Sequence, residues 1–299
     1  MVELDNVKKF YGSFQALSGI SFNIAKGEII GFLGPNAAGK TTTMRIISNY
    51  FPSSGGSVKI KGLSPDEGRK YIGYMPESNP LYPDLFVEDY LKYVLALRGI
   101  DDGKAVKKVV EQCGIKSVMS KKIRELSKGY RQRVGLSASI VHNPEILILD
   151  EPTIGLDPNQ VVEIRKLIRE LGREKTVIIS THILSEAEAL STRIIIINKG
   201  SIVMDSPADR ISDGFSPEII VEFREFPVNA DEMREIKGVE KLEKEKNLIK
   251  ISYKSEADIR GEVFRYCAEK KWKVLEIYSK KKGLEGVFKE LTGDGRSEN

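Results

Sequence analysis

The stretch Gly34-Pro-Asn-Ala-Ala-Gly-Lys-Thr-Thr42 follows an apolar run, Glu28 to Leu33, and precedes a helix-compatible segment, Thr43 to Ser48. Its pattern, G-x-x-x-x-G-K-[ST], is typical of a phosphate-binding loop. Such a loop directs backbone N–H groups and the positive end of the helix dipole at one point, where phosphate oxygens bind. Lys40 would then reach the β- and γ-phosphates, and Thr41 would hold Mg²⁺. The alternative, a Gly-rich turn with a surface lysine, is disfavoured by the spacing.

Length and composition are those of a soluble protein with one large and one small domain. The 299 residues include 47 basic and 43 acidic side chains, so the net charge of +4 gives no reason to expect a nucleic-acid partner. Cys113 and Cys267 belong to no metal-binding pattern, and we expect reduced thiols. No apolar run approaches the roughly 18 residues needed to span a bilayer, and the N-terminus lacks a signal-peptide pattern. Any membrane part is therefore expected in another chain.

The segments around the loop alternate apolar and polar residues. Val2 to Lys8 and Ser21 to Ile24 read as half-buried strands that flank the turn-rich Tyr11-Gly-Ser13. An aromatic residue beside glycine is most often packed into its loop, so a ligand role for Tyr11 depends on its neighbours.

From about Leu85 to Ile123 apolar residues recur at helical spacing, which predicts a helical insertion in an α/β domain. One apolar face of that insertion comprises Tyr90, Leu91, Val94, Leu95 and Leu97, and another Val106, Val109 and Val110.

Carboxylates follow a strand that reads as buried on both faces. Ile146 to Leu149 is apolar throughout and ends at Asp150-Glu151. The carboxyl edge of an open α/β sheet is where ligands bind, and there one acidic residue can hold Mg²⁺ while its neighbour faces the attacking water. A simple turn before Pro152 is the other interpretation. His182 follows the predicted strand Val177 to Ser180 and reaches the same edge, whereas His142 has no such context and reads as structural.

Two helix starts carry cap signals. Ser127, in Leu126-Ser-Lys-Gly-Tyr-Arg-Gln-Arg133, is a candidate N-cap for a helix that ends before Pro144. Asp157 is a second N-cap, with Pro158 at the first helical position. Ile194 to Ile197 and Ile202 to Met204 then predict a closing hairpin.

The C-terminal part differs in texture. Asp205 to Pro217 is rich in Ser, Pro, Asp and Gly, which predicts a linker. Beyond it we predict an α+β domain over residues 218–299 with the ferredoxin-like order βαββαβ. Its elements are a strand Glu218 to Phe223, a helix Asn229 to Ile236, strands Val239 to Glu243 and Leu248 to Tyr253, a helix Glu256 to Glu269, a strand Trp272 to Tyr278 and a last helix Gly283 to Leu291.

The motifs, taken in order, resemble the ATP-binding cassette (ABC) family over roughly residues 2 to 205. They are the phosphate loop, Leu126-Ser-Lys-Gly-Tyr130, Leu149-Asp-Glu-Pro152, Gly155-Leu-Asp157 and Ser180-Thr-His182. The resemblance implies a P-loop NTPase fold of the ABC type over residues 1–210, with a helical subdomain at about 78–140. It also implies that two copies of the chain enclose two ATP molecules, each held between the loop of one copy and the signature segment of the other.

The same resemblance assigns roles to residues of this chain. Glu151 is implied as the general base, His182 as the γ-phosphate sensor and Lys40 as a catalytic cation. Mg²⁺ is assigned to Thr41, Glu77 and Asp150. The resemblance also implies nucleotide contacts by Tyr11, Gly34, Pro35, Asn36, Ala37, Ala38, Gly39, Lys40, Thr41, Thr42, Glu77, Ser127, Gly129 and Asp157. Tyr11 is implied to stack on adenine. Ser127 and Gly129 are implied to contact ATP bound to the partner copy, and Asp157 to couple the two sites.

Several positions depart from the usual family pattern. Ala37 replaces a glycine, so either its φ is negative or the loop carries a strain of about 1–2 kcal/mol. Lys128 and Tyr130 replace glycine and glutamine in the signature, and Glu77 replaces a glutamine. Glutamate can accept a hydrogen bond from metal-bound water but cannot donate as an amide does. We predict that Glu77 adjusts metal and water placement and couples the site to the helical insertion.

The tyrosine in the signature and the C-terminal appendage resemble exporter ATPases that serve separate membrane subunits of the ABC-2 type. This implies an ATP-hydrolysing subunit at the cytoplasmic face of the membrane, partnered by a second copy of itself and by permease subunits. A soluble ABC ATPase acting on a ribosome, nucleic acid or regulatory partner is the main alternative, and an importer partner is a third. Tandem cassettes and long coiled-coil insertions, usual in soluble relatives, are absent from this sequence.

Overall fold

A computed structural model describes residues 1–212, 217–227, 229–253, 258–280 and 283–293 of the chain. The chain folds as two compact units, Met1–Asp209 and Arg210–Asn299. In chain order the strands of the first unit are β1 (Val2–Tyr11), β2 (Phe14–Ile24), β3 (Ile29–Leu33), β4 (Gly55–Ile60), β5 (Ile72–Met75), β6 (Ile146–Asp150), β7 (Thr176–Thr181), β8 (Arg193–Asn198) and β9 (Ser201–Pro207). Its α-helices are α1 (Lys40–Ile47), α2 (Pro65–Gly68), α3 (Val87–Ala96), α4 (Gly103–Cys113), α5 (Lys128–Ile140), α6 (Pro158–Gly172) and α7 (Leu184–Leu190).

The larger sheet of the first unit is mostly parallel, in the order β5-β6-β7-β3-β8-β9. Strands β5 to β8 in this sheet run parallel to β3, and β9 pairs antiparallel with β8. The smaller sheet is antiparallel, in the order β2-β1-β4. Because β5, β6, β7 and β3 are neighbours and parallel, the loops that follow them emerge at one edge of the sheet.

Alternate residues of the central strands point into two separate cores. Ile146 and Ile148 of β6 pack with the antiparallel sheet and α1, whereas Leu147 and Leu149 pack with the helices on the other face. All five residues of β6 are buried, as expected for a parallel strand covered on both faces. Burial on both faces fixes the register, because a one-residue slip would exchange the two sets of side chains.

Helices α3 and α4 lie within the predicted helical insertion, Leu85 to Ile123, and α5 follows it. The predicted apolar faces of α3 and α4, including Tyr90, Leu91, Val106 and Val109, are buried in one core cluster. Leu97 was assigned to the same face but is 68% exposed, because α3 ends at Ala96 and Leu97 is its C-cap. The helical spacing therefore located the buried face correctly and extended it by one residue too many.

The described residues of the second unit form four strands, β10 (Glu218–Phe223), β11 (Val239–Glu245), β12 (Leu248–Tyr253) and β13 (Val274–Lys280), and the α-helices α8 (Arg260–Glu269) and α9 (Leu284–Thr292). The strands are antiparallel in the order β11-β12-β10-β13. The predicted helix over 229–236 is wrong in type, because residues Ala230–Glu235 form a 3₁₀ helix. The first residues predicted for α8 include 256 and 257, which lie outside the described residues.

The linker predicted from Asp205 begins too early. Strand β9 continues to Pro207, and a 3₁₀ turn spans Ala208–Arg210. The Arg193 guanidinium of β8 pairs with the carboxylate of Asp205 at 2.6 Å, which keeps the polar end of β9 in the ladder. Residues 213–216 of the predicted linker lie outside the described residues.

Candidate functional site

The loop of residues 34–42 joins β3 to α1 and encloses the Lys40 ammonium. Lys40 is 7% exposed, and its Nζ donates to the carbonyl oxygens of Gly34 at 2.7 Å and Pro35 at 3.3 Å. Gly39, the N-cap of α1, has φ +112°, and a Cβ there would lie 2.7 Å from Leu17 Cδ2. Only glycine fits this turn, since it tolerates both the dihedral and the close approach.

Burial lowers the pKa of Lys40, while the nearby carboxylates of Glu151, Asp150 and Glu77 oppose that shift. A buried ammonium that is only partly compensated gains from further negative charge. The loop therefore places a cation where an incoming phosphate would strengthen its charged form.

Ala37 adopts the left-handed conformation, with φ +61°. Of the two alternatives raised by the sequence, the strained one is correct. An alanine in this region is less stable than a glycine by about 1–2 kcal/mol. The loop keeps the backbone shape that glycine would provide, and the folded chain carries the strain.

Asp150 ends β6 beneath the loop and is completely buried. Its Oδ1 accepts hydrogen bonds from the hydroxyls of Thr41, at 3.3 Å, and Ser180. Among the described residues its Oδ2 has no hydrogen-bond partner. An unpartnered, fully buried carboxylate oxygen is costly unless a ligand or water supplies the missing contact.

The Thr41 hydroxyl and Asp150 fit a Mg²⁺ site, because the unpartnered Oδ2 is the hard oxygen ligand that this ion prefers. Within the described ranges no three His, Cys, Asp or Glu side chains converge into a site sufficient by itself. Mg²⁺ is commonly bound by one or two protein oxygens together with substrate phosphates. The donor set therefore suits a metal that arrives with a nucleotide.

Glu151 lies next to Asp150 and contacts two other candidate residues. Its Oε2 lies 2.9 Å from His182 Nδ1, and its Oε1 lies 3.8 Å from Lys40 Nζ. Glu151 is 6% exposed and, like Ala37, adopts a positive φ, here +50°. The His182 ring is 45% exposed, so the pair extends from the buried edge of the sheet toward the surface.

These groups surround a cavity of about 570 Å³, within the range usual for small-ligand sites. Its lining comprises Tyr11, Phe14, Ala16, Asn36, Ala37, Ala38, Gly39, Lys40, Thr41, Thr42, Glu77, Glu151, Ile154 and His182. Loop, carboxylates and histidine are thus brought to one place, as expected from the strand ends.

Two exposed aromatic rings line the cavity. Tyr11 is 46% exposed and Phe14 60% exposed, and they are cross-strand partners in the β1–β2 hairpin. Phe51 packs edge-on against the Tyr11 ring, with centroids 5.9 Å apart. Phe14 was not predicted. The signal for it lies in the sequence, because aromatic residues on either side of a two-residue turn pair across a hairpin.

Ser127, Gly129 and Asp157 do not line this cavity. Ser127 caps α5 by accepting from Tyr130 N at 3.4 Å, and Asp157 caps α6 by accepting from Gln160 N at 2.9 Å. A Cβ on Gly129 would lie 2.7 Å from Gln160 Cδ, so the signature segment packs closely on the start of α6. Both caps are formed as predicted, on exposed turns outside the cavity.

The polar loop after β5 is linked to α5. Asn79 Nδ2 donates to Arg131 O at 3.0 Å, and the nearly buried Gln132 donates from Nε2 to Pro152 O at 2.6 Å. Pro152 follows Glu151, so α5 contacts both the loop that carries Glu77 and the segment that carries the candidate base. Asn79 and Gln132 were missed, because their partners are distant in sequence.

His142 lies away from the cavity, with its Nε2 3.1 Å from Ile72 O. Burial, with a smaller contribution from Arg98, lowers its pKa to about 4. It therefore stays neutral at neutral pH.

A buried lysine in a phosphate loop, a buried aspartate beneath it and a paired Glu151–His182 define the site of a nucleoside triphosphatase. The ABC transporter family profile matches residues 17–154. A second profile, for an AAA domain described as a putative AbiEii toxin of a type IV toxin–antitoxin system, matches residues 122–187.

The relatives are ATP-binding proteins of transporters. An uncharacterized ABC transporter ATP-binding protein of Methanocaldococcus jannaschii is 40% identical over 206 residues, 68% of this chain and 76% of that protein. The linearmycin resistance ATP-binding protein of Bacillus subtilis is 37% identical over 68% of each chain. A lantibiotic transport ATP-binding protein of Streptococcus pyogenes is 34% identical over 75% of this chain and its own full length.

Solved structures that superpose on this chain are also ABC cassettes. A dimeric bacterial ABC transporter cassette superposes with a TM-score of 0.64 at 28% identity, covering 70% of this chain and 99% of that one. A post-hydrolysis state of such a cassette, dimeric and bound to ADP and phosphate, gives 0.64 at 29% identity, covering 70% and 99%. The chain belongs to the ABC transporter ATP-binding protein family and is an ATPase of that family.

Proposed function

We propose that the chain drives export by a separate membrane permease, through ATP-dependent pairing of two copies. One observation carries the pairing: the cavity gathers the phosphate loop, Glu77, Glu151 and His182, while Ser127, Gly129 and Asp157 lie outside it. Ser127 and Gly129 stand at the N-terminus of the 13-residue helix α5, where backbone N–H groups favour an anion. A second copy would bring this turn over the nucleotide held by the first.

Within each site the residues divide the work between binding and hydrolysis. Lys40 and the loop N–H groups bind the phosphates, and Thr41 and Asp150 would hold Mg²⁺, which would supply positive charge against the phosphates. Glu151 accepts the proton of the attacking water as general base. His182, held against Glu151 at 2.9 Å, contacts the γ-phosphate and keeps the carboxylate oriented. Glu77, on the loop linked to α5, lines the cavity and would accept a hydrogen bond from water there.

The aromatic residues that line the cavity suit a nucleobase. Tyr11 and Phe14 present exposed rings within the same cavity as the phosphate loop, and stacking on adenine needs only ring faces. The Lys9 ammonium lies 5.5 Å from the Tyr11 centroid and 4.4 Å from that of Phe51, which adds a cation beside the stack.

The export partner is proposed from the relatives, whose names include lantibiotic transport, bacitracin transport and linearmycin resistance. Within the described part of the chain, no helix has the length and apolarity needed to cross a bilayer. A permease in other chains would supply the transport path, with this subunit at the cytoplasmic face of the membrane.

Pairing is tested with Glu151→Gln, which keeps the side-chain shape and removes the general base. Hydrolysis should fall about 10²- to 10⁴-fold while ATP binding is retained, so the variant should accumulate as a dimer with ATP and Mg²⁺ in light-scattering chromatography. The matched control is Glu170→Gln, which changes an exposed carboxylate on α6 and should behave as the parent. A Glu151→Gln variant that binds ATP and remains monomeric would contradict the pairing.

The membrane partner is tested by purification of the native complex from solubilised membranes. Recovery of an integral membrane permease supports transport, and export against import is then read from substrate movement in vesicles. Recovery of ribosomes or nucleic acid with the chain would instead favour a soluble ABC ATPase.

A further inference from the structure

A buried carboxylate close to the segments that carry Glu151 and His182 has no role in the function proposed above. Glu186 belongs to α7 and is 1% exposed. A carboxylate removed from water is strongly destabilising unless hydrogen bonds and opposite charge compensate it. The partners that compensate Glu186 are therefore informative.

The two oxygens of Glu186 accept hydrogen bonds from two different segments. Thr153 Oγ1 donates to Oε1, and Thr181 Oγ1 donates to Oε2 at 3.1 Å. Thr153 is two residues after Glu151, and Thr181 is immediately before His182. One carboxylate thus joins the segment that carries the base to the segment that carries its histidine.

Further contacts fix this junction. Thr181 Oγ1 also accepts from the backbone N–H of Ile183 at 3.0 Å, so the same hydroxyl sets the turn on the far side of His182. The guanidinium of Arg165, on α6, lies 3.6 Å from Glu186 Oε1 and provides opposite charge. Thr153 and Thr181 are both buried, so water does not compete for these bonds.

The catalytic pair needs such support. Glu151 has φ +50°, and a residue in this region persists only where its surroundings determine the backbone. The 2.9 Å contact between Glu151 and His182 joins two loops from different strands, β6 and β7. A small relative displacement of those loops would separate the groups, and misplacement by about 1 Å can cost about 10²-fold in rate.

We propose that Glu186 is a positioning residue that holds the Glu151 and His182 segments in fixed register through Thr153 and Thr181. It does not touch the nucleotide. Its loss should lower kcat and leave nucleotide binding intact, since it is absent from the cavity lining. This inference rests on the proposed roles of Glu151 and His182 in hydrolysis, and not on pairing or on the permease.

The first test is Glu186→Gln, which keeps the shape and replaces one acceptor oxygen by a donor. We expect kcat per folded molecule to fall about tenfold or more, with the KM for ATP and the Kd of a fluorescent ATP analogue within about twofold of the parent. Glu188→Gln, an exposed glutamate on the same helix, is the matched control and should leave all three unchanged. Unchanged kcat in folded Glu186→Gln would overturn the inference.

A second measurement separates positioning from general stability. His182→Ala should lower kcat much less in a Glu186→Gln background than in the parent, because Glu186→Gln has then already displaced the histidine from Glu151. Additive costs of the two changes would contradict the proposal. Should Glu186→Gln fail to fold, Thr153→Val removes one of the two donors at nearly constant volume, and the same comparison with His182→Ala applies.

A spectroscopic measurement is independent of hydrolysis and pairing. The chain has two histidines, so the imidazole signals of His142 and His182 can be assigned by substitution. In Glu186→Gln the His182 signal should move and the His142 signal should stay. An unmoved His182 signal overturns the inference even if the parent dimerises and hydrolyses ATP, whereas a moved signal in a chain that never pairs supports the inference and counts against the proposed function.

Discussion

The two parts of the proposed nucleotide site differ in how their polar groups are satisfied. In the loop part, Lys40, Asp150 and Glu151 are buried and hydrogen-bond or pair within the chain. In the signature part, Ser127 and Asp157 are exposed and cap their own helices. The loop part is prepared within one chain, whereas in the proposed dimer the signature part would meet its ligand only on the other copy. Substitutions in the two parts should therefore fail in different assays.

The largest expected effect is a loss of hydrolysis on substitution in the signature part. Ser127→Asp keeps an N-cap side chain but places a carboxylate where the partner's γ-phosphate would bind. Hydrolysis should fall about 10²-fold or more, while ATP binding to the monomer stays within about twofold. Ser127→Asn, a neutral cap of similar size, is the control and should retain most activity. Equal loss of monomer binding in Ser127→Asp would place Ser127 within the cis site and remove the contrast between the two parts.

Substitution of the aromatic residues that line the cavity should instead weaken ATP binding to the monomer. Tyr11→Ala removes a stacking surface that contributes about 1–3 kcal/mol, so the Kd for ATP should rise roughly 5- to 150-fold in the monomer. Phe14→Ala should act in the same direction. Tyr50→Ala removes a ring that is 72% exposed and absent from the cavity lining, and should change the Kd little. Equal Kd values for Tyr11→Ala and Tyr50→Ala would exclude stacking.

A smaller effect concerns the strain in the loop. Ala37→Gly relieves a positive φ and adds freedom to the unfolded chain, so we expect a net gain in unfolding free energy of up to about 1 kcal/mol. Ala96→Gly, at an exposed helical position with ordinary dihedrals, should lose up to about 1 kcal/mol instead. In denaturant titrations the two substitutions should change the unfolding free energy in opposite directions. Losses of equal size at both positions would contradict the left-handed conformation of Ala37.

The smallest effect lies away from the site. Burial lowers the pKa of His142 to about 4 in the folded chain, below the ordinary value near 6.5, so the unfolded chain binds the additional proton between those values. Stability from this group is complete above about pH 6.5 and is lost as the pH falls toward 4. His142→Gln should make the decline in unfolding free energy over that range shallower. An unchanged slope in His142→Gln would refute this account.

Local chemistry explains what the sequence could predict. Glycine spacing around Lys40, the caps Ser127 and Asp157, and the buried apolar strand before Asp150 are set by residues close in sequence, and the structure has each in place. Parallel pairing then brings His182 to Glu151. These relations follow from backbone conformation and strand direction alone.

The missed features depend on distant partners. Glu186 is informative only with Thr153 and Thr181, which come from other elements. Gln132 requires knowledge that α5 passes beside Pro152. The helix predicted over 229–236 became a 3₁₀ turn, a choice that tertiary packing makes and composition does not. The dihedral of Ala37 was open because alanine permits either sign, at different cost.

The central claim, that each ATP is held between two copies, is tested most directly by mixing two inactive variants. Lys40→Ala disables the loop part, and Ser127→Asp disables the signature part. A mixed dimer contains one site with the loop of the second variant and the signature of the first, both intact. We expect each variant alone to be nearly inactive and the equimolar mixture to recover hydrolysis well above either. A mixture that stays as inactive as its components, although both bind the partner, would contradict the shared site.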